Sequence, residues 1–123
     1  MVPFAMPPGE IDFVIHVSGL AAHTRDMLAE PRVSLLVMAA NPEVQPQATA
    51  RMTVQGDATR IEPDSEFYAM AKKAYLARFP ESEMIFGLGD FSLFAIRPRS
   101  IRFVGGFAQA KTITPEGLAR ILR

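Results

Sequence analysis

Three side chains able to hold an anion or pass a proton, Ser18, His23 and Thr24, lie close together in the run SGLAAHTRDMLAEPRVSLLV from Ser18 to Val37. If a helix starts at this point, its free backbone N–H groups and positive end suit a phosphate or another anion. Ser18 offers a hydroxyl there, His23 a proton donor one turn on, Thr24 a second hydroxyl and Arg25 a compensating charge. The same residues also read more plainly: Ser18 as a helix cap, His23 as a solvated helix residue, and Arg25 as the ion-pair partner of Asp26 or Glu30. Spacing alone favours the plain reading, since caps are commoner than anion sites.

Two further groups are candidates. Arg51, Thr53 and Gln55 alternate along one side of a β pattern and can line a ligand groove or an ordinary solvent face. In Gly105-Gly106-Phe107-Ala108-Gln109-Ala110 the glycines permit close backbone approach. Phe107 is suited to stack on a planar ring and Gln109 to bond its edge, unless the segment is simply a turn between strands. No G-x-G-x-x-G, H-E-x-x-H or G-x-S-x-G pattern occurs, and Gly87 and Gly89 lack the lysine and hydroxyl of a phosphate loop. No nucleophile–base pair is visible, so no catalytic acid or base is named. A cofactor that brings its own reactivity remains open.

The elements that must position these residues follow from composition and pattern. The chain has 123 residues, 49% hydrophobic and 21% charged, enough for one domain with a real core. Lys+Arg and Asp+Glu both number 13, which argues against a nucleic-acid partner. There is no cysteine and there are two histidines, His16 and His23, so thiolate chemistry is excluded and no metal site is expected. No apolar run is long enough to span a bilayer, and MVPFAMPPGE lacks the pattern of a signal peptide, so the cytoplasm is the expected compartment.

Met1–Met6 and Ile11–Val17 are expected to form a hairpin around Pro7-Pro8-Gly9. Ser18 is expected to cap a helix from about Gly19, with Leu20, Thr24, Met27 and Leu28 on one face, ending at Pro31. Arg32–Ala40 reads as a strand buried on both faces, and Ala48–Glu62 as a long strand with a bulge at Gly56. Asp64 is expected to cap a helix over Ser65–Phe79, and Ser82–Asp90 reads as a loop. Phe91–Arg97 and Ile101–Val104 read as two strands turned at Pro98–Ser100, and Phe107–Ile113 as a short extended piece. Thr114 caps a last helix with Pro115 in its first turn. The fold class is mainly β (α+β): an antiparallel sheet or small barrel with flanking helices.

The order of these motifs resembles the pyridoxamine 5′-phosphate oxidase-related, FMN-binding split-barrel proteins, and within them the haem iron utilisation branch. The resemblance is carried by S-x-L-x-x-H-T-R and P-R-V-S-L-L-V, then A-R-M-T-V-Q-G at Ala50–Gly56 and Y-L-A-R-F-P at Tyr75–Pro80. It continues through G-D-F-S-L-F at Gly89–Phe94 and V-G-G-F-A-Q-A at Val104–Ala110. It implies a single split-barrel domain over 1–123, a homodimer with FMN at the interface, and an FMN-dependent oxidoreductase of unknown substrate. It further implies that Ser18, His23 and Thr24 hold the flavin phosphate, that Val2, Pro3 and Phe4 run along the ring, that Arg51 approaches from the side, and that Phe107 and Gln109 reach the interface. Asp26 stands where the branch commonly has Asn, and Lys111 and Thr112 replace an aromatic. By the same resemblance Met1 corresponds to a point inside the first barrel hairpin, and the usual first strand is expected to be missing. Two alternatives share the scaffold: a haem-binding or haem-utilisation protein, with His16 and His23 as the available imidazoles, and a cofactor-free dimeric binding domain.

Overall fold

Phe91–Val104 (β4 below) is the spine on which the other strands assemble. The computed structural model describes residues 2–38, 49–105 and 110–122. The elements are β1 (Phe13–Ser18), α1 (Ala22–Ala29), β2 (Arg32–Met38), β3 (Arg51–Arg60), α2 (Glu66–Arg78), a 3-10 turn at Pro80–Ser82, α3 (Glu83–Phe86), β4, β5 (Ala110–Ile113) and α4 (Pro115–Leu122). The sheet is antiparallel with strand order β1-β4-β3-β2, and β5 pairs with β4. One edge of β4 takes β1 over Phe91–Ile96 and β5 over Ile101–Val104; the other edge takes β3 over Phe94–Val104. The sheet curls as an open half-barrel, the split-barrel architecture expected from the motif order.

The turn expected at Pro98–Ser100 is absent, because β4 runs through it as one strand of 14 residues. Pro98 is tolerated there because it faces a register shift. Gln55 lies opposite Ser100 and Gly56 opposite Pro98, leaving Arg99 as the extra residue of the bulge. A proline has no N–H to give a ladder, and a bulge does not ask for one. The bulge expected at Gly56 is thus present, and it bends both strands.

Two apolar layers lie on the two sides of the sheet. Phe13, Ile15, Val17, Val54, Ala58, Phe94, Ile96 and Ile101 form the inner layer, closed by Met27 of α1 and Leu118 of α4. On the opposite side Val14, Leu93, Ala95 and Ile61 are covered by Ala71 and Tyr75 of α2. Each large side chain taken fully from water contributes about 1.5–3 kcal/mol. β1 therefore has apolar residues on both sides, which its alternation only half announced.

The helices begin where local chemistry caps them. Ser65, rather than Asp64, caps α2: its Oγ accepts the Tyr68 N–H at 3.1 Å. Thr114 caps α4 as expected, its Oγ1 accepting the Gly117 N–H at 3.0 Å. The expected loop at Ser82–Asp90 instead contains α3. β2 is not buried on both faces: among the described residues it pairs only with β3, and its side chains alternate between exposed and half-buried. The N-terminal hairpin is reduced to one bridge, in which Ala5 and Val14 exchange backbone hydrogen bonds at 2.9 and 2.8 Å.

Candidate functional site

The start of α1 is built differently from its sequence reading. Ser18 ends β1 and closes a turn, its Oγ accepting the Leu20 N–H at 3.1 Å while its carbonyl accepts the Ala21 N–H at 3.2 Å. The cap position falls to Ala21, in extended conformation, which provides no side-chain cap. The first helical turn therefore has no capping side chain, and within it the Thr24 N–H donates to the Ala21 carbonyl at 3.2 Å. Leu20, expected on the helix face, lies in the turn at 79% exposure, and Leu28 is exposed as well. Thr24 and Met27, one turn apart, carry the buried face. Thr24 is only 3% exposed, yet its Oγ1 has no hydrogen-bond partner among the described residues. A buried hydroxyl left unmatched costs about 1–3 kcal/mol, so this atom marks a place where an acceptor is wanted. His23, Arg25 and Asp26 are exposed, and Glu30 pairs with Arg32 at 2.8 Å instead of with Arg25.

The remaining candidates are spread over the sheet. Ser18 lies opposite Phe91 and Arg51 opposite Val104, so they occupy opposite ends of β4 within one chain. Arg51 is half-buried, and its Nη1 donates to the Thr49 carbonyl at 3.3 Å. Val2 and Phe4 pack against the inner layer, while Pro3 is exposed. Phe4 is held from two sides: its ring is 5.1 Å from Phe13, and Arg78 lies 4.7 Å over it while donating to the Phe4 carbonyl at 2.8 Å. Phe107 and Gln109 lie outside the described residues.

The outer face of the curled sheet carries a feature that sequence reading caught only in part. Arg51, Thr53 and Gln55 do share a face, and they meet residues of three other strands there. A shallow depression of about 310 Å³ is lined by Thr53, Gln55, Ser100, Ile101, Arg102 and Thr112. Beside it on β2, Leu36 and Met38 are 62% and 45% exposed. The signal for Arg102 and Ser100 was hidden by the turn expected at Pro98–Ser100, which severed them from their face. Among the described residues no group of three or more His, Asp or Glu gathers to hold a metal ion, and no helix is long and apolar enough to cross a membrane.

His16 does not join either group. It projects from the outer side of β1 into an aromatic cluster, stacked on Phe86 at 3.9 Å and 13°, with Tyr75 edge-on at 5.7 Å and Phe91 at 5.2 Å. Burial, and then the Lys72 ammonium, hold its imidazole below the ordinary value of 6.5. The unfolded chain therefore takes this proton before the folded one does. The His16 contribution to stability is present above about pH 6.5 and is lost as pH falls through the lowered folded value. Urea unfolding at pH 7.5 and 5.5 should show a loss of stability toward acid that is smaller in His16→Phe, which keeps the stack. An identical loss in both proteins would remove His16 from that account. Asp12, buried beside Arg97 at 3.2 Å, is raised because burial outweighs the arginine. Its effect has the opposite sign and is common to both proteins.

Comparison with known proteins bears on what this surface holds. The sequence matches the family described as CREG, beta-barrel, over residues 5–118. It is 39% identical over 97 residues to "Non-canonical heme oxygenase HOZ, chloroplastic" of Arabidopsis thaliana, covering 79% of this chain and 28% of that protein. It is 32% identical over 110 residues to "Heme oxygenase HutZ" of Vibrio cholerae serotype O1, covering 86% of this chain and 61% of that protein. A solved structure of a "heme binding protein from Mycobacterium smegmatis" superposes with TM-score 0.86 at 31% identity, over 97% of this chain and 48% of that one. The chain thus spans less than two thirds of each of these relatives.

These relatives overturn FMN as the cofactor, and with it the FMN-dependent oxidoreductase and flavoprotein reading, since all three are named for haem. The physical reason for the error is plain. A flavin phosphate and a tetrapyrrole carboxylate ask the same of a helix start, namely free N–H groups and positive potential. A helix start does not by itself specify which anion, if any, it holds.

Proposed function

Because the chain belongs to the CREG β-barrel family, with a split-barrel fold, we propose that it binds haem and serves a haem-oxygenase-type activity. The observation that carries this reading is the outer sheet face. Exposed Leu36 and Met38 lie beside Arg51 and Arg102 there, an arrangement suited to a flat apolar ring with acidic side chains. The donor set fits such a ligand: an unmatched Thr24 hydroxyl and an uncapped helix start at one end of β4, and guanidinium groups at the other. Iron in the bound ring supplies the oxygen and electron chemistry. The chain's own part is to seat the ring, neutralise its carboxylates and shield it from water.

Ser18 and Thr24 are proposed to receive a carboxylate and His23 to offer its imidazole to the iron, with Val2, Pro3 and Phe4 as a wall and Arg51 as a flank. Phe107 and Gln109 keep the interface role that the family resemblance gives them. Since the α1 start and Arg51 lie at opposite ends of β4, one ring contacts both only if two chains combine. We therefore propose a homodimer in which each copy brings its helix start to the other's outer face. Sedimentation of the purified protein as a monomer at micromolar concentration, with and without haem, would count against that arrangement.

Haem titration followed by Soret absorbance tests the reading. Saturable uptake is expected, and its absence ends the proposal. Of the two imidazoles, His23 is exposed beside the proposed anion site, whereas His16 is stacked within the aromatic cluster. His23→Ala is accordingly expected to shift the Soret band and weaken binding about tenfold or more, and His16→Ala to leave the band in place. An unchanged band in both variants would exclude axial ligation by either histidine.

A further inference from the structure

The outer face holds a cationic position that neither the α1 start nor the strand-end Arg51 accounts for. The register sets Leu36, Thr53, Arg102 and Thr112 in one row across β2, β3, β4 and β5. One row nearer the bulge, Gln55 lies opposite Ser100. Residues paired across antiparallel strands point to the same side, so these polar groups converge on the 310 Å³ depression.

Arg102 is steadied there by neutral partners. Its Nη1 donates to Thr112 Oγ1 at 3.2 Å, and beside it the Ser100 hydroxyl donates to Gln55 Oε1 at 3.3 Å. The other arginines of β4 are matched: Arg97 by Asp12 at 3.2 Å and Arg99 by Asp57 at 3.1 Å. Among the described residues no carboxylate lies within ion-pair distance of Arg102. A guanidinium presents its N–H donors as a planar fork that fits a carboxylate with two parallel bonds. This one is exposed and oriented, with its counter-charge missing and apolar Leu36 in the same row.

We propose that Arg102 receives a propionate carboxylate of the tetrapyrrole, with Thr112 fixing the guanidinium and Thr53 adding a hydroxyl donor. This rests on the haem reading above and names the side chain that recognises the acidic edge of the ring. Removing a charge-assisted pair of this kind corresponds to about 10- to 100-fold in affinity.

Haem and its dimethyl ester, titrated by Soret absorbance into wild type, Arg102→Ala, Arg102→Lys and Thr112→Val, provide the test. Wild type is expected to prefer haem to the ester by at least that factor. Arg102→Ala should lose about 10- to 100-fold of that preference, keeping only what the α1 start gives the second carboxylate, with ester affinity unchanged. Arg102→Lys should recover part of the preference, as a point charge without the fork, and Thr112→Val should lose a smaller part of it. A wild-type preference retained in full in Arg102→Ala overturns the proposal, as does an equal loss of both porphyrins in that variant. Wild type binding both porphyrins alike leaves the haem reading standing and removes this one. Wild type binding neither ends the haem reading, and the role of Arg102 falls with it.

Discussion

Gly56→Ala is expected to destabilise the fold by about 3 kcal/mol, the upper end of what overpacking costs, out of a total of about 5–15 kcal/mol for a domain of this kind. A Cβ at Gly56 would collide with the carbonyl oxygen of Arg97 and press on the Arg97 carbonyl carbon and Ile96 Cγ2. Two of these three atoms are backbone, so no side-chain rotation relieves the clash. The strands would have to part at the bulge, where Gln55, Ser100 and Asp57 are also positioned. Gly9 gives the contrast: its φ is +80°, but nothing lies within 4 Å of an added Cβ, so Gly9→Ala should cost only about 1 kcal/mol through backbone strain. Urea midpoints of the two variants decide the matter. A Gly56→Ala midpoint no lower than that of Gly9→Ala would show that the bulge yields, and that its close approach does not set the curl.

That bulge also explains how far the sequence could be read. Gly56 within a β pattern marks a bulge from one strand alone, and the capping by Thr114 is equally local. The continuity of β4 is not local. Pro98 and Ser100 carry turn chemistry, and only the opposing Gly56 turns them into part of a strand. Mistaking the bulge for a turn concealed the Arg102 row, because a face is defined by register across four strands and not by spacing in one. β2 misled for the same reason. Its residues Val33–Met38 are apolar enough for a central strand, and its edge position depends on which strand folds beside it. At the start of α1, Ser18 has the right chemistry for a cap but stands three residues early, its hydroxyl spent on the Leu20 N–H. The unmatched Thr24 hydroxyl follows from the burial of one helical face, which its threonine identity does not announce. FMN and haem were not distinguishable at this point, since a phosphate and a carboxylate suit the same donors.

The N-terminal segment, proposed as a wall of the site, depends on one core residue. Phe13→Ala is expected to cost about 3–5 kcal/mol, the usual range for a deleted buried phenylalanine. Phe13 is nearly inaccessible within the inner layer and lies 5.1 Å from the ring of Phe4. Its loss therefore acts twice: it leaves a cavity between β1 and β4, where Phe13 faces Ile96, and it removes the surface against which Phe4 is pressed. What then holds residues 2–6 is the Ala5–Val14 bridge, the packing of Val2, Ala5 and Met6 on the two apolar layers, and Arg78, whose guanidinium is exposed and grips Phe4 from outside. Such a segment should open at lower free energy than the sheet. Native-state hydrogen exchange separates the two effects. In Phe13→Ala the Ala5 N–H should lose more protection than the fall in global stability explains, while amides at the centre of β3 and β4 track the global value. Phe13→Leu, which keeps most of the volume, should cost less than about 1.5 kcal/mol and leave the Ala5 amide close to wild type. If Ala5 in Phe13→Ala falls only in step with the sheet, the segment belongs to the core cooperatively, and its placement along a bound ring does not hinge on the Phe4–Phe13 contact.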